Sequence, residues 1–343
     1  MTINLKVNGQ NHAGWQSIKV NLSMEALSGG FELKVTERWP DGQRTLVPGD
    51  ACELLADNDV LITGYLDQVN PSIDKEAHSL VVSGRDKSGD LVDCSAMNTP
   101  GQWAGKKLDA IAKDLCSPFG IPIKVETNVG EAFSKFNIEQ GETVYETLKR
   151  LAELRAVLIL SDGKGGLIIT NRSTQRSADA LVCKSDNPSN NVLRANLVDD
   201  HRERFSQITI KGQTQGSQRK KAATVSHGKG ISKDATITRH RPLLVMAEGQ
   251  ANTSQCQIRS DWEKTRRAAQ STRLTADVQG WRQSNGQLWA INRIIPVDIP
   301  TLNIKQDMLI IAVNFTLDSN NGTITTLTLL KPESYDLVRK IAS

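Results

Sequence analysis

The chain has 343 residues, of which 38% are hydrophobic, 4% aromatic and 23% charged, with a formal net charge of +4. This length allows two or three domains that each have a core of their own. No apolar run approaches the roughly 20 residues that span a bilayer, so the composition excludes a helical membrane protein and predicts no stable membrane association.

The charge is unevenly distributed along the chain. Residues 1–100 contain eight Lys and Arg against 14 Asp and Glu, whereas residues 200–273 contain 15 against six. Opposed segments of this kind predict either complementary faces that meet head to tail or a basic surface for a polyanion.

Cysteines, histidines and the amino terminus point to a reduced protein without a metal site. The five cysteines are far apart and form no Cys-x-x-Cys, and no two of the five histidines have ligand spacing. The segment Met1–Lys6 lacks the features of a signal peptide. We therefore expect synthesis in a cytoplasm, free thiols and no cofactor.

The first region with a strand pattern runs from Trp15 to Asp86. Short alternating apolar and polar runs are separated by Gly, Asn, Asp and Pro, and the last two runs are Val60–Asp67 and Ser79–Ser83. Period-two alternation bounded by turn residues indicates strands. Residues 1–98 are predicted to form a first small β-barrel.

Residues 99–172 are predicted to form an α+β domain. Apolar residues recur at helical spacing from Trp103 to Cys116, and a second helix is expected from about residue 141 to 154, with Thr143 and Glu146 as its capping box. Residues 157–160 and 167–170 flank a Gly-rich turn and predict a hairpin.

The strand pattern returns in two pieces near the carboxyl end. Residues 173–211 and 272–343 are predicted to form a second, discontinuous β-barrel, with Met308–Asn314 and Thr323–Leu330 as its last strands. Residues 212–271 are predicted to be a basic insertion with a helix at 250–269. The expected fold is therefore mainly β with α+β insertions, and two pseudo-duplicated barrels would let three chains close a ring of six.

Catalytic motifs are missing from the chain. Residues 101–107 lack the spacing of a phosphate-binding loop, no Gly-x-Ser-x-Gly occurs, and Asp162–Gly166 and His227–Gly230 fit turns. His201 and the small acidic cluster of Asp199, Asp200 and Glu203 fit a solvated loop. We expect a protein that is not an enzyme, and a cell-wall hydrolase component stays open as an alternative.

Three passages together resemble the baseplate hub proteins of contractile-tailed, Mu-like phages. They are Ser17–Pro40, Gly141–Gly166 and Asp277–Asn292, and the last leads to a strand from Met308 and to Leu329–Tyr335. The order and spacing of these passages match across nearly the whole chain. Related architecture occurs in the amino-terminal part of type VI secretion spikes.

The resemblance implies a structural role in a phage or prophage virion, at the baseplate of the tail. It implies a homotrimeric ring with pseudo-six-fold symmetry that joins the tail tube protein to the trimeric spike protein, with DNA passing transiently through the ring. Candidate residues that shape the barrels and interfaces are Ser23, Met24, Glu25, Gly30 and Phe31 in the first barrel and Gly280, Trp281, Asn285, Gly286 and Trp289 in the second.

A basic group in the inserted segment keeps a second function open. A module that binds DNA or another polyanion would use Lys and Arg of residues 200–273 for nonspecific phosphate attraction. The same side chains could instead form a subunit contact. The candidate residues are Arg219, Lys220, Lys221, Arg239, Arg241, Arg266 and Arg267.

Overall fold

The computed structural model describes residues 1–36, 46–75, 78–213 and 228–338, and it is mainly β with helical insertions. Seven strands come first in the chain: β1 (Ile3–Val7), β2 (Gln10–His12), β3 (Ser17–Ser23), β4 (Gly30–Thr36), β5 (Ala51–Ala56), β6 (Asp59–Ile73) and β7 (His78–Asp86).

The second domain, between residues 87 and 172, contains three helices and five short strands. They are α1 (Gly89–Asp93), β8 (Gln102–Trp103), α2 (Leu108–Cys116), β9 (Ile123–Val125), β10 (Phe136–Asn137), α3 (Val144–Arg155), β11 (Leu158–Ser161) and β12 (Leu167–Thr170). The predicted capping box is confirmed, because Thr143 and Glu146 cap α3 reciprocally. The predicted hairpin is confirmed as β11 and β12, which pair antiparallel.

The remaining elements belong to the carboxyl-terminal half. They are β13 (Leu181–Val182), β14 (Val192–Asp199), β15 (Gln207–Gln213), β16 (Lys229–Lys233), β17 (Pro242–Gln250), α4 (Thr253–Gln270), β18 (Thr272–Gln279), β19 (Arg293–Ile299), β20 (Ile304–Asp318), β21 (Gly322–Leu330) and a 3-10 turn (Pro332–Tyr335).

Two five-stranded units have the same strand order. The first unit is arranged as β3-β4-β7-β6-β5 and the second as β14-β18-β21-β20-β19, and every neighbouring pair within a unit is antiparallel. Along the chain, the fourth strand of each unit (β6 and β20) has 15 residues and the fifth (β7 and β21) has nine. The first half of each long strand pairs with the strand before it, and the second half pairs with the strand after it.

The two units form one continuous sheet. Strand β3 of the first unit pairs antiparallel with β20 of the second, from Ser23 opposite Ala312 to Ile18 opposite Leu317. We call this contact the inner joint. Closed barrels are not found among the described strands, so the two predicted barrels stay a prediction.

One hydrophobic core runs beneath both units because inward side chains alternate along their strands. Strand β4 alternates buried and exposed positions, and Leu33 at its centre is fully buried. Strand β20 contributes Val313 and Phe315 to the same core. The alternating pattern that predicts two separate barrels thus forms a single hydrophobic core that both units share.

Asp86 connects the first unit to the second domain. It is 1% exposed, and its carboxylate accepts hydrogen bonds from Gly29 N at 2.8 Å, Ser88 N at 2.9 Å and Ser161 Oγ at 2.8 Å. Since Ser161 ends β11, the hairpin of the second domain is fixed to the end of β7. The hairpin makes a second contact with the first unit, because Thr63 N of β6 donates to Gly163 O at 2.8 Å.

The second domain is also connected to the second unit. Asn292 is 8% exposed; its Oδ1 accepts from Ser173 N at 2.8 Å and its Nδ2 donates to Asn171 O at 3.1 Å. Asn171 directly follows β12. The second domain therefore contacts both five-stranded units.

The inserted domain begins earlier in the chain than the expected boundary at residue 211. Strand β15 lies in a separate three-stranded sheet of order β16-β15-β17, and α4 packs on one face of that sheet. Its core contains Ile208, Ile210 and Cys256. The alternation of Ser206–Lys211 predicts a strand but carries no information about its partner, so the sequence placed it in the second barrel.

Prediction for the buried carboxylate. Asp86→Ala leaves several buried donors without an acceptor, and we expect a loss of roughly 3 kcal/mol in the free energy of unfolding. Denaturant unfolding followed by circular dichroism measures it. Asp59→Ala is the matched control, because it removes a half-exposed ion pair with Arg282 and should cost about 0–1 kcal/mol. Equal losses in both variants would contradict the role of Asp86.

Prediction for acid stability. Burial raises the pKa of Glu142, but hydrogen bonds from Arg150, Glu139 N and Thr147 outweigh it and hold this pKa below its ordinary value of 4.5. A lowered folded pKa stabilises the fold above about 4.5, and this contribution is lost as the pH falls.

We therefore expect the unfolding midpoint of the native chain to decrease between pH about 5 and about 3. The variant Glu142→Gln should be less stable at neutral pH and less dependent on pH in this range. Parallel curves for the two proteins would contradict this assignment.

Candidate assembly interface

The first predicted site residues lie at the inner joint. Ser23 pairs with Ala312, and Met24 N donates to Ile311 O at 2.7 Å. Glu25 forms an ion pair with Arg273 of β18. The loop after β3 therefore fastens the first unit to the second by backbone pairing and by one charged contact.

Gly30 and Phe31 lie next to this loop, at the start of β4. Phe31 is 4% exposed and packs against Gly84 of β7, where a Cβ atom would come within 2.7 Å of the Phe31 ring. The same Cβ would lie 2.3 Å from Tyr65 O. Gly84 is therefore required for the close approach of β4, β6 and β7.

In the second unit, Trp281 fills the core beside β20. It is 1% exposed, its Nε1 donates to Thr316 O at 2.9 Å, and its ring centroid lies 5.2 Å from that of Phe315. Gly280, with φ +78°, starts the turn that places it.

The turn between the two tryptophans contains the remaining predicted residues. Asn285 Oδ1 accepts from Gln287 N at 3.0 Å, and Gly286 has φ +81°. Trp289 N donates to Trp281 O at 3.2 Å, and the Trp289 ring is 3% exposed. The two tryptophan rings lie in the interior, whereas Asn285 and Gly286 are exposed in the turn between them.

One edge of the sheet ends at β14, which we call the donor edge. Strand β14 pairs with β18 on one side, and its other side has no partner strand in the described parts of the chain. It corresponds in position to β3, whose second side pairs with β20 at the inner joint. The donor edge thus has the same position in the second unit as β3 has in the first, but among the described strands only β3 is paired on its second side.

A second open edge, the receiving edge, is the end of β6 from Asp67 to Ile73. Its other side pairs with β7, while β5 ends opposite Tyr65 and Leu66 exchanges backbone hydrogen bonds with Gly49 and Asp50. In β20 the corresponding half pairs with β3. No described strand occupies this place beside β6.

Burial differs between the occupied and the open edges. At the inner joint Ile18 and Val20 of β3 are 2% and 1% exposed. At the donor edge Ala195 and Leu197 point to the same core but are only half-buried, as is Val69 at the receiving edge. The core is therefore closed at the inner joint and incompletely covered at the two outer edges.

Carboxylates surround the start of the receiving edge. Arg85 Nε lies 2.7 Å from Asp67 Oδ2, and its NH2 group lies 2.7 Å from Asp93 Oδ2. The hydrogen bond from Arg85 lowers the pKa of Asp93, whereas burial raises the pKa of nearby Asp90. Three carboxyl groups, those of Asp67, Asp90 and Asp93, thus lie around one guanidinium, and we call them the acidic cluster.

The predicted basic group does not form one free surface. The guanidinium carbons of Arg241 and Arg267 each lie 5.3 Å from the ring centroid of Phe205, and that of Arg266 lies 5.2 Å from the ring centroid of Trp262. Arg267 also binds Glu263, which is 4% exposed. These basic side chains are therefore partly engaged in ion pairs and ring contacts within the chain.

The other members of that group have separate positions. Arg239 is exposed in the loop before β17. Arg219, Lys220 and Lys221 lie outside the described residues.

Other kinds of site are not supported by the described geometry. In the described part of the chain, no group of three or more His, Cys, Asp or Glu side chains could hold a metal ion. None of the helices described is long and apolar enough to cross a membrane. Burial raises the pKa of Cys52 and Cys116 to about 12, which keeps these thiols protonated.

Sequence reasoning missed the residues of the two open edges. Leu197 and Val69 look like ordinary strand residues, and only the comparison of the two units marks them as incompletely covered. A signal was present in Pro71, because proline within a sheet is confined to edges.

Four segments of the chain match known families. Residues 2–86 match the amino-terminal domain of the Mu phage baseplate assembly protein GpP-like family, and residues 88–171 match the second domain of the baseplate hub protein gp44-like family. Residues 204–264 match the third domain of the tail protein NMB1110-like family, and residues 252–338 match the fourth domain of the Mu phage baseplate assembly protein GpP.

Solved structures share the fold. A 43 kDa tail protein of prophage MuSo2 from Shewanella oneidensis superposes with a TM-score of 0.86 at 35% identity, covering 98% of this chain and all of the other. A tail protein from Neisseria meningitidis MC58 gives 0.84 at 23% identity, over 98% and 99% of the two chains. The type VI secretion component c3393 of E. coli shares the fold alone, with a TM-score of 0.58 at 9% identity over 98% and 79%.

A curated protein aligns along nearly the full length. The baseplate hub protein gp44 of Escherichia phage Mu is 32% identical over 342 residues, which cover 97% of this chain and 89% of that protein. The resemblance stated from three passages of the sequence is thereby confirmed. The chain belongs to the baseplate hub proteins of Mu-like phages and prophages, which are structural proteins of the tail.

Proposed function

We propose that three copies of the chain form a ring at the virion baseplate, between the tail tube and the spike. The observation that carries the proposal is the shared strand order of the two units together with the inner joint that links them. In this assembly the protein performs no chemistry. Its function is to match a six-fold tube to a three-fold spike.

The donor and receiving edges supply the contact between copies. Strand β14 of one chain takes the place beside β6 of the next chain that β3 takes beside β20 within a chain. Antiparallel strand addition satisfies backbone groups that an open edge leaves unpaired. It also covers the half-buried Leu197 and Val69, so the contact would gain apolar burial as well as hydrogen bonds.

The geometry of this contact favours a closed ring. The two edges are different surfaces of one chain, so the contact is head to tail, and such contacts form either closed rings or open helical filaments. If the outer joint repeats the inner joint, successive units are related by one rotation, and six units from three chains give a pseudo-six-fold ring. The second domain and the inserted domain each occur once per chain, so the parts of the ring that they form have three-fold symmetry.

Pro71 limits the outer joint. Proline lacks a backbone donor, so β6 offers fewer hydrogen bonds near Ile73 than β20 offers to β3. The outer joint should therefore be weaker than the inner joint, which suits a contact that forms between separately folded chains.

Prediction for the donor edge. Leu197→Arg places a charge where the outer joint would bury an aliphatic side chain, and burial of an unpaired charge is strongly unfavourable. We expect the native protein to be a trimer at micromolar concentration and the variant to be a monomer. Size-exclusion chromatography with light scattering measures the mass, and negative-stain electron microscopy shows whether the native particles are rings.

Val125→Arg is the control, because Val125 is an aliphatic residue of β9 that is 40% exposed and lies in the second domain. It should remain trimeric, and circular dichroism should show both variants folded. A native protein that is monomeric at micromolar concentration would overturn the ring, and a trimeric Leu197→Arg would overturn the assignment of the donor edge.

A further inference from the structure

The three-stranded sheet of the inserted domain has one open face. Helix α4 covers the face with Ile208 and Ile210, and the opposite face has aliphatic side chains at its centre. The register places Ile231, Thr209 and Leu244 in one row and Lys229, Lys211 and Met246 in the next. Ile231, Leu244 and Met246 are 37%, 55% and 49% exposed.

Three lysines surround this aliphatic centre. Lys211, Lys229 and Lys233 are exposed, and none forms an ion pair within the described residues. The described side chains of this face include no carboxylate. We call the surface formed by these lysines with Ile231, Leu244 and Met246 the lysine face; it is positively charged and partly apolar.

The position of the inserted domain in the chain keeps this domain near the outer joint. The domain is inserted between β14 and β18, and its first strand begins eight residues after the donor edge ends at Asp199. Asp200 N donates to Ser271 O at 2.7 Å, so both connections are held together at the base of the domain. The domain cannot move far from the end of β14.

The inner joint indicates what lies beside that end. The last residue of β3, Ser23, pairs with Ala312, near the start of the paired half of β20. By correspondence the last residue of β14 lies near the start of the receiving edge of the next chain, which is Asp67. The acidic cluster of Asp67, Asp90 and Asp93 around Arg85 is therefore the charged surface next to the inserted domain of its neighbour.

We propose that the lysine face of one chain docks on the acidic cluster of the next chain in the ring. The proposal rests on the head-to-tail ring proposed above and adds a second contact to the outer joint. Charge complementarity supports it, because three unpaired lysines meet a cluster with more carboxylates than cations. The contact compensates for the backbone hydrogen bonds that Pro71 removes, and it steers the correct edges together.

The composition of the lysine face favours a protein over a nucleic acid. Its centre is aliphatic, and no aromatic ring is present among its described side chains on which a base could stack. A phosphate backbone would gain nothing from Ile231, Leu244 and Met246. A protein surface with both acidic and apolar groups uses both parts of the face.

Cross-linking of the native protein tests the contact directly. Chains grown on nitrogen-14 and nitrogen-15 are mixed, assembled and treated with a water-soluble carbodiimide, which joins lysine amines to carboxylates in contact. Mass spectrometry should find mixed-isotope peptides that join Lys211, Lys229 or Lys233 to Asp67, Asp90 or Asp93. If only single-isotope peptides, or no peptides of this kind, are found in a trimeric sample, the docking is overturned.

Charge reversal tests its energetic role. The variant Lys211→Glu/Lys229→Glu/Lys233→Glu should raise the apparent dissociation constant of the trimer by at least roughly tenfold at low salt. Adding Asp90→Lys and Asp93→Lys should restore most of the affinity. The control Lys107→Glu/Lys135→Glu/Lys305→Glu changes the same net charge at exposed lysines elsewhere and should have little effect.

The outcomes separate this inference from the ring itself. A native protein that does not trimerise removes both proposals. A native trimer whose stability is unchanged by reversal of the lysine face overturns the docking alone. Salt-sensitive binding of a DNA duplex that is lost in the lysine variant, with the trimer unchanged, would show that the face serves nucleic acid instead.

Discussion

The antiparallel pairing of β3 with β20 is the interaction on which the rest of the molecule depends. It joins two units of identical strand order into one sheet and lets their inward residues share one core. Without it, Ile18 and Val20 on one side and Val313 and Phe315 on the other would lie at open edges. The pairing also defines, within a single chain, the contact that the proposed ring repeats between chains.

Open sheet edges are a hazard for a protein made as single chains, because exposed edges pair with any available strand. The molecule limits this hazard at both edges. Pro71 removes a donor from the receiving edge, and Asp67 with Arg85 places charges at its start. At the donor edge Arg194, a residue of β14 itself, forms an ion pair with Asp277 of β18 and so places a charged side chain on the open strand. These features restrict pairing to a partner that also matches in charge and shape.

Local order in the chain was predictable, but partners across long distances were not. Thr143 and Glu146 specify the start of α3 because a capping box depends on residues three positions apart. The Gly-rich turn likewise specifies the hairpin of β11 and β12. In contrast, β15 alternates like a strand of the large sheet yet pairs with β16 and β17, since alternation records burial and not the neighbour.

Counting charged residues along the sequence likewise could not predict which of them are exposed. The basic excess of residues 200–273 predicts a charged surface, but Arg241 and Arg267 are used around Phe205, and Glu263 is buried against Arg259 and Arg267. Only the structure separates these cations from lysines that remain open on the sheet. The edges themselves could be recognised only after the two units were compared strand by strand.

The second domain has a consequence for the size of the assembly. Asp86 connects it to the first unit and Asn292 connects it to the second, so it bridges the two units and restrains the angle between them. In a head-to-tail ring the number of copies is set by the angle between successive units. The second domain, which supplies neither of the two edges, would then determine the number of copies in the ring. Weakening its contacts with the two units would change the number of subunits before it changed the affinity between them.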